Sequence, residues 1–347
     1  MQWSVVVPGA LIPAPIAADV VGAAQLPHWL AWTARAQVTA PQSASMASAG
    51  AAHLGWLWRR FSGRSDAAVT APYAWRALVG TTPPAHLWQA DPVHFAIARD
   101  HMLLATLGEL TADEARALAA EAQPILATAG AQLHCHADHW FVSFERAWSL
   151  TVPALDAALG ESVQHRLPEG ADATPWRRLL TEIQIAWHHH PVNEAREERG
   201  AAEVNGLWLH GGGAADALPP SGLASVSATD PAVRGWALAA GVPAAALRDS
   251  DDPGQPAGDA LIVWPHLFAA AKAEAWGAWL PVAARFDAWL GALNEQASQA
   301  GADVELVLCG RSHTRSACVA RADRWKPWRA LRRPPVLAEV LAEAVDA

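Results

Sequence analysis

Ala260-Leu-Ile-Val-Trp264, a helical stretch from His266 to Gln299, and Val304-Glu-Leu-Val-Leu-Cys309 follow one another near the end of the chain. The two short apolar runs read as buried strands, and the stretch between them as one or two helices, so the C-terminal third has the alternation of an α/β fold. Working outward, Val5–Val7 followed by Pro8-Gly9 predicts another buried strand. It leaves its sheet through a loop, which is where open α/β folds build their sites. Ala317-Cys-Val-Ala320 predicts a further strand.

The middle of the chain reads differently. Residues 57–78 suggest two helices around the polar turn Phe61-Ser-Gly-Arg-Ser65, and Leu87–Ala98 with His101–Ala105 suggest two strands around a tight Arg99-Asp100 turn. Thr111 with Glu114 three residues on is a capping box, opening a helix expected to end near Ala122, before Pro124. Gln132–His136, His139–Phe144 and Ala147–Thr151 are strand candidates, Pro175–His189 a helix, and Val204–His210 a strand that ends in Gly211-Gly212-Gly213. This is an α+β module.

Composition excludes several classes. The 347 residues are 52% hydrophobic and 17% charged, too apolar for a disordered chain. A net charge of −9, with Lys272 and Lys326 the only lysines, leaves no basic stripe for a nucleic-acid backbone. No uninterrupted apolar run suggests a membrane span, and the apolar start lacks the basic flank of a signal peptide. Three cysteines, Cys135, Cys309 and Cys318, share no metal or disulfide spacing and fit a reducing, cytoplasmic setting. Nineteen tryptophans are the oddity, and a protein-partner surface is one use for them.

Chemistry-bearing residues concentrate between 181 and 213. Pro191 ends a helix so that His190 and Asn193 fall in a turn, and Arg196 and Arg199, three apart, can present two guanidinium groups to one anion. The alternative is a solvated face of Arg196, Arg199, Glu197 and Glu198, with the histidines capping a helix. Gly211–Gly213 could bring backbone N–H groups to a phosphate or simply make a tight turn. Asp91 and His94, around Pro92, suit acid/base work or hydrogen bonding at a hairpin rim. His134-Cys-His-Ala-Asp-His139 holds metal-ligand types without a metal spacing, and reads as structural or surface histidines.

Taken together, Ala90-Asp-Pro-Val-His-Phe95, His190-Pro-Val-Asn-Glu-Ala-Arg-Glu-Glu-Arg-Gly200 and Val204-Asn-Gly-Leu-Trp-Leu-His-Gly-Gly-Gly213 resemble bacterial regulatory proteins of the RpfE type, many of them called phosphoglycerate mutases. Over residues 180–213, with an echo at Leu306–His313, the chain is also similar to archaeal-type cofactor-independent phosphoglycerate mutases of the alkaline-phosphatase-like superfamily. The resemblance implies an α/β class: a degenerate alkaline-phosphatase-like sheet sandwiched by helices over residues 1–80 and 215–347, with an inserted α+β substrate domain over 81–214.

It further implies a small phosphorylated acid held by His190, Asn193, Arg196, Arg199, Asn205, Gly211, Gly212 and Gly213. Active members carry Asp after the first strand and Asp/His pairs after later ones to hold two metals. Here Pro8-Gly9-Ala10 and Trp264-Pro265-His266 stand at two such places, so the expectation is a binding pseudoenzyme. The alternative is a working mutase or phosphatase in which His94, His266 and His313 bind Mn or Zn and Asp91 assists proton transfer.

Overall fold

The computed structural model describes residues 1–45, 48–97, 101–105, 107–136, 138–247, 253–254, 256–321 and 336–343. The chain divides into two compact units, residues 1–66 with 218–347, and residues 67–217. No helix among the described residues is long and apolar enough to cross a membrane.

The first unit is α/β, built on a mixed sheet. Gln2–Pro8 lies between Ala260–Val263 and Asp303–Cys309 and is parallel to both. Ser225–Ser227 and then Ala244–Ala245 extend the parallel part, whereas His313–Val319 runs antiparallel to Asp303–Cys309 and carries the short strands Gln37–Val38 and Gln42–Ser43. A strand in that central position is covered on both faces, which is why Val5, Val6 and Val7 form an unbroken apolar run and are all 0% exposed.

Trp3, Val5 and Val7, on one side of the pleat, share a core with Trp279, Phe286 and Trp289 of the helix Trp276–Ala300. The helix Ala52–Ser62 packs on Gln2–Pro8 and His313–Val319, and its Trp58 and Phe61 meet Trp236 at ring-centroid distances of 5.5 and 6.3 Å. Tryptophans thus fill this interior, Trp3, Trp29, Trp58, Trp236 and Trp279 being fully buried in this unit. Burying a large apolar side chain contributes about 1.5–3 kcal/mol each.

The second unit is an antiparallel sheet under two helices. Leu87–Ile97 is its long central strand. It pairs with His139–Phe144, Met102–Ala105 and Gly206–His210, and Ala131–His136 lies outside His139–Phe144. Leu118, Ala122 and Leu126 of Ala112–Ala127 meet Trp176, Leu179, Ile183 and Trp187 of Ala173–His188 in one core.

Thr111 and Glu114 form the capping box, but the helix continues through Pro124 to Ala127, because the Leu118–Ala122–Leu126 stripe packs onto the core and offsets the lost backbone hydrogen bond. Ala147–Thr151 is not a strand: Ser149 N–H donates to Asp172 Oδ2 at 2.8 Å, and pairing is confined to an isolated bridge between Thr151 and Glu169. The Arg99-Asp100 turn lies outside the described residues.

Candidate functional site

The segment richest in polar residues is occupied in holding the second unit together. His190 caps the helix Pro191–Glu198, its Nδ1 accepting from Val192 N–H at 3.1 Å. Asn193 is buried. Its Nδ2 donates to the carbonyls of Trp187 and Val204 at 2.8 and 2.9 Å, and its Oδ1 accepts from Val204 N–H at 2.8 Å. Asn205 does the same for the central strand, with Oδ1 accepting from Phe95 N–H at 2.6 Å and Nδ2 donating to Phe95 O at 3.1 Å.

Arg196 is 0% exposed, and its guanidinium donates to the carbonyls of Ala202, Glu109 and Leu107 at 2.7, 3.0 and 3.0 Å and to Glu114 Oε2 at 3.2 Å. Arg199, half-exposed, binds the other oxygen of Glu114. Burial opposes ionisation of Glu114, but hydrogen bonds from Thr111 and Arg199 and the charge of Arg196 outweigh it and hold the carboxyl below its usual range. The two arginines do meet one anion, and that anion is the chain's own capping-box glutamate.

Asp91 and His94 do not converge. The segment around Pro92 runs straight as part of Leu87–Ile97, and positions three apart on a strand point to opposite faces. His94 Nδ1 donates to Glu203 O at 2.9 Å. Asp91 pairs instead with His210, Oδ2 to Nε2 at 2.5 Å, because Gln89 stands opposite His210 and Asp91 opposite Trp208 across the antiparallel pair. Asp91 also lines a cavity of about 490 Å³ with Glu109, Asp138 and Trp140. The imidazole–carboxylate pair was accessible from sequence only by pairing Val204–His210 against the Asp91 strand, since 119 residues separate the partners.

His134 and His136 stack edge-on against Trp75, with centroid distances of 5.4 and 4.7 Å, and His134 Nε2 lies 2.9 Å from Ser143 Oγ. Burial, with His136 nearby, pushes the His134 imidazole below its usual pKa. In the first unit His266 packs on Trp264 with centroids 4.7 Å apart, while His313 lies with Nε2 3.4 Å from Ser43 Oγ and Nδ1 3.7 Å from Glu343 Oε1. Among the described residues no group of three or more His, Cys, Asp or Glu could hold a metal ion, so the described side chains do not fit the two-metal centre the resemblance brings with it.

A cleft of about 710 Å³ lies in the second unit, and of the glycines singled out in the sequence Gly212 and Gly213 line it. Arg76, in the last turn of the helix Ala71–Val79, and His86 supply its basic groups. Trp88, Trp148 and Pro72 give it an apolar wall, and Gly212–Ala215 close one side. The glycines serve close approach: a Cβ at Gly211 would meet Thr70 Oγ1 at 1.8 Å, and one at Gly212 would meet the Trp88 ring at 2.2 Å. His86 holds a φ of +52°, strained for a non-glycine residue, at the start of the central strand. A basic side chain, flat aromatic walls and bare backbone can hold a small anion with an organic body.

No protein-family model matches the chain, and no curated protein matches it. Among solved structures, the PH0037 protein from Pyrococcus horikoshii is 12% identical with a TM-score of 0.52, over 100% of this chain and 99% of that one. A cofactor-independent phosphoglycerate mutase from Thermoplasma acidophilum is 14% identical with a TM-score of 0.42, over 92% of this chain and 90% of that one. The first likeness is one of fold.

Proposed function

We propose that this chain is a phosphoglycerate-mutase-like regulatory protein that binds a small phosphorylated acid in the cleft beside Arg76 and does not carry out the mutase reaction. The lining of that cleft carries the reading. Arg76 and His86 are its basic groups, and no carboxylate is among its described lining residues, in a chain whose net charge is −9. A guanidinium backed by low-dielectric walls concentrates anions, and its fork matches two oxygens of a phosphate or carboxylate. The carbon skeleton would lie against Trp88 and Trp148. Two-metal phosphoryl transfer needs a ligand group that the described residues do not supply. Kinship with the RpfE type, an alkaline-phosphatase-like ancestry of the sheet and a cytoplasmic location belong to the same proposal and rest on the sequence motifs and the sparse cysteines.

The test is a titration of 3-phosphoglycerate into the full chain. Its melting temperature should rise saturably, by the equivalent of about 2.7 kcal/mol at roughly a hundredfold excess over Kd, and a chelator should not alter that. Arg76→Gln should abolish the response while changing unliganded stability by less than about 0.5 kcal/mol. Interconversion of 2- and 3-phosphoglycerate that stops when metal is removed would overturn the proposal.

A further inference from the structure

The turn after the strand Asp303–Cys309 already holds an anion. Three successive backbone N–H groups converge on the carboxylate of Glu343: Ser312 and His313 donate to Oε1 at 2.7 and 2.9 Å, and Arg311 donates to Oε2 at 3.0 Å. Successive N–H groups directed at one point form an anion-binding concavity. The approach depends on Gly310, where a Cβ would fall 2.2 Å from Glu343 Oε2.

The place is informative. Gly310 and Gly9 follow the carboxyl ends of two adjacent parallel strands, the position at which open α/β sheets bind ligands. Gly9, Gly310, Arg311, the nearly buried Lys272 and Glu343 line a cavity of only about 20 Å³, so the carboxylate fills the space. Glu343 reaches the turn from the two-residue strand Ala342–Glu343, which pairs with Ile12–Pro13, while Leu337, Val340 and Leu341 anchor the preceding helix in the core. The side chain can therefore swing out while that anchor stays in place.

We propose that the Gly310–His313 turn is an oxyanion site, that Glu343 is its resident occupant, and that a phosphate-bearing ligand binds there by displacing the Glu343 carboxylate. The two oxygens that receive the three N–H bonds stand where two oxygens of a phosphate would. An internal competitor weakens apparent affinity by the fraction of time the site is free. Removing it strengthens binding. This site lies in the first unit and is independent of the Arg76 cleft.

The experiment is a titration of the full chain with inorganic phosphate at constant ionic strength, followed by the backbone amide resonances of Arg311, Ser312 and His313. In the wild type these should move saturably, and Glu343→Ala should bind about tenfold or more tightly. Glu343→Gln, which keeps the side-chain volume and removes the charge, should fall between the two and serves if the alanine variant does not fold. Arg76→Gln should leave these shifts unchanged, which separates this site from the cleft. Stationary wild-type amides, or equal affinity in the wild type and whichever Glu343 variant folds, would overturn the proposal.

Discussion

Arg196 and Arg76 sit on short helices of the same unit and use the same guanidinium group in opposite ways. Arg196 is sealed among three carbonyls and the Glu114 carboxylate, while Arg76 is half-buried in the lining of a 710 Å³ cleft with no described carboxylate in that lining. The first lies in the densest polar motif of the chain and the second in the helix Ala71–Val79, outside any such motif. Motif density does not tell an open cleft from a latch. The difference is whether backbone acceptors reach the donors first, and around Arg196 the loops at 107–109 and 202 bring them there.

The comparison can be broken most forcefully at the latch. Arg196→Met keeps the apolar stem but leaves the carbonyls unpaired and Glu114 with only Arg199 and the Thr111 N–H. It should cost about 3–5 kcal/mol in denaturant unfolding while leaving any response to 3-phosphoglycerate in the surviving folded fraction intact. A loss below about 1 kcal/mol would show that the buried network is not what holds these loops. At the cleft, Gly212→Ala drives a methyl into the Trp88 ring, and the expected cost is about 1–3 kcal/mol. Its ligand response should disappear with the displaced Trp88 wall, which a melting curve with and without 3-phosphoglycerate reads directly.

The smallest expected effect is on acid stability. The folded pKa of Glu114 is held below its ordinary value of 4.5, so the stabilisation is fully present above that pH and is lost as pH falls through the lower folded value. Glu114→Gln should accordingly flatten the dependence of the urea midpoint on pH between about 5 and 3, and a curve parallel to the wild type would remove Glu114 from the latch. Arg76→Gln should show the wild-type dependence.

Local rules were readable where the partners are near in sequence. The Thr111–Glu114 capping box, the strand at Gln2–Pro8 and the helices on either side of residue 63 depend on neighbours within a turn or a strand, and the structure has them. Pro124 reads as a stop on local grounds, but core contacts made by Leu126 carry the helix past it. Asp91 and His94 are close in sequence and face apart, whereas His210, far along the chain, completes the pair. The glutamate that fills the turn before His313 comes from thirty residues away.

The chain's own pattern of apolar runs, caps and glycines determined that there would be an α/β part and an α+β part, because burial and backbone geometry act residue by residue. Tertiary structure alone decided which arginine meets a carbonyl, which histidine meets Asp91 and which carboxylate occupies the Gly310 turn. Hydrogen bonds and ion pairs form over about 3 Å, and only the folded chain brings residues so far apart in sequence within that reach.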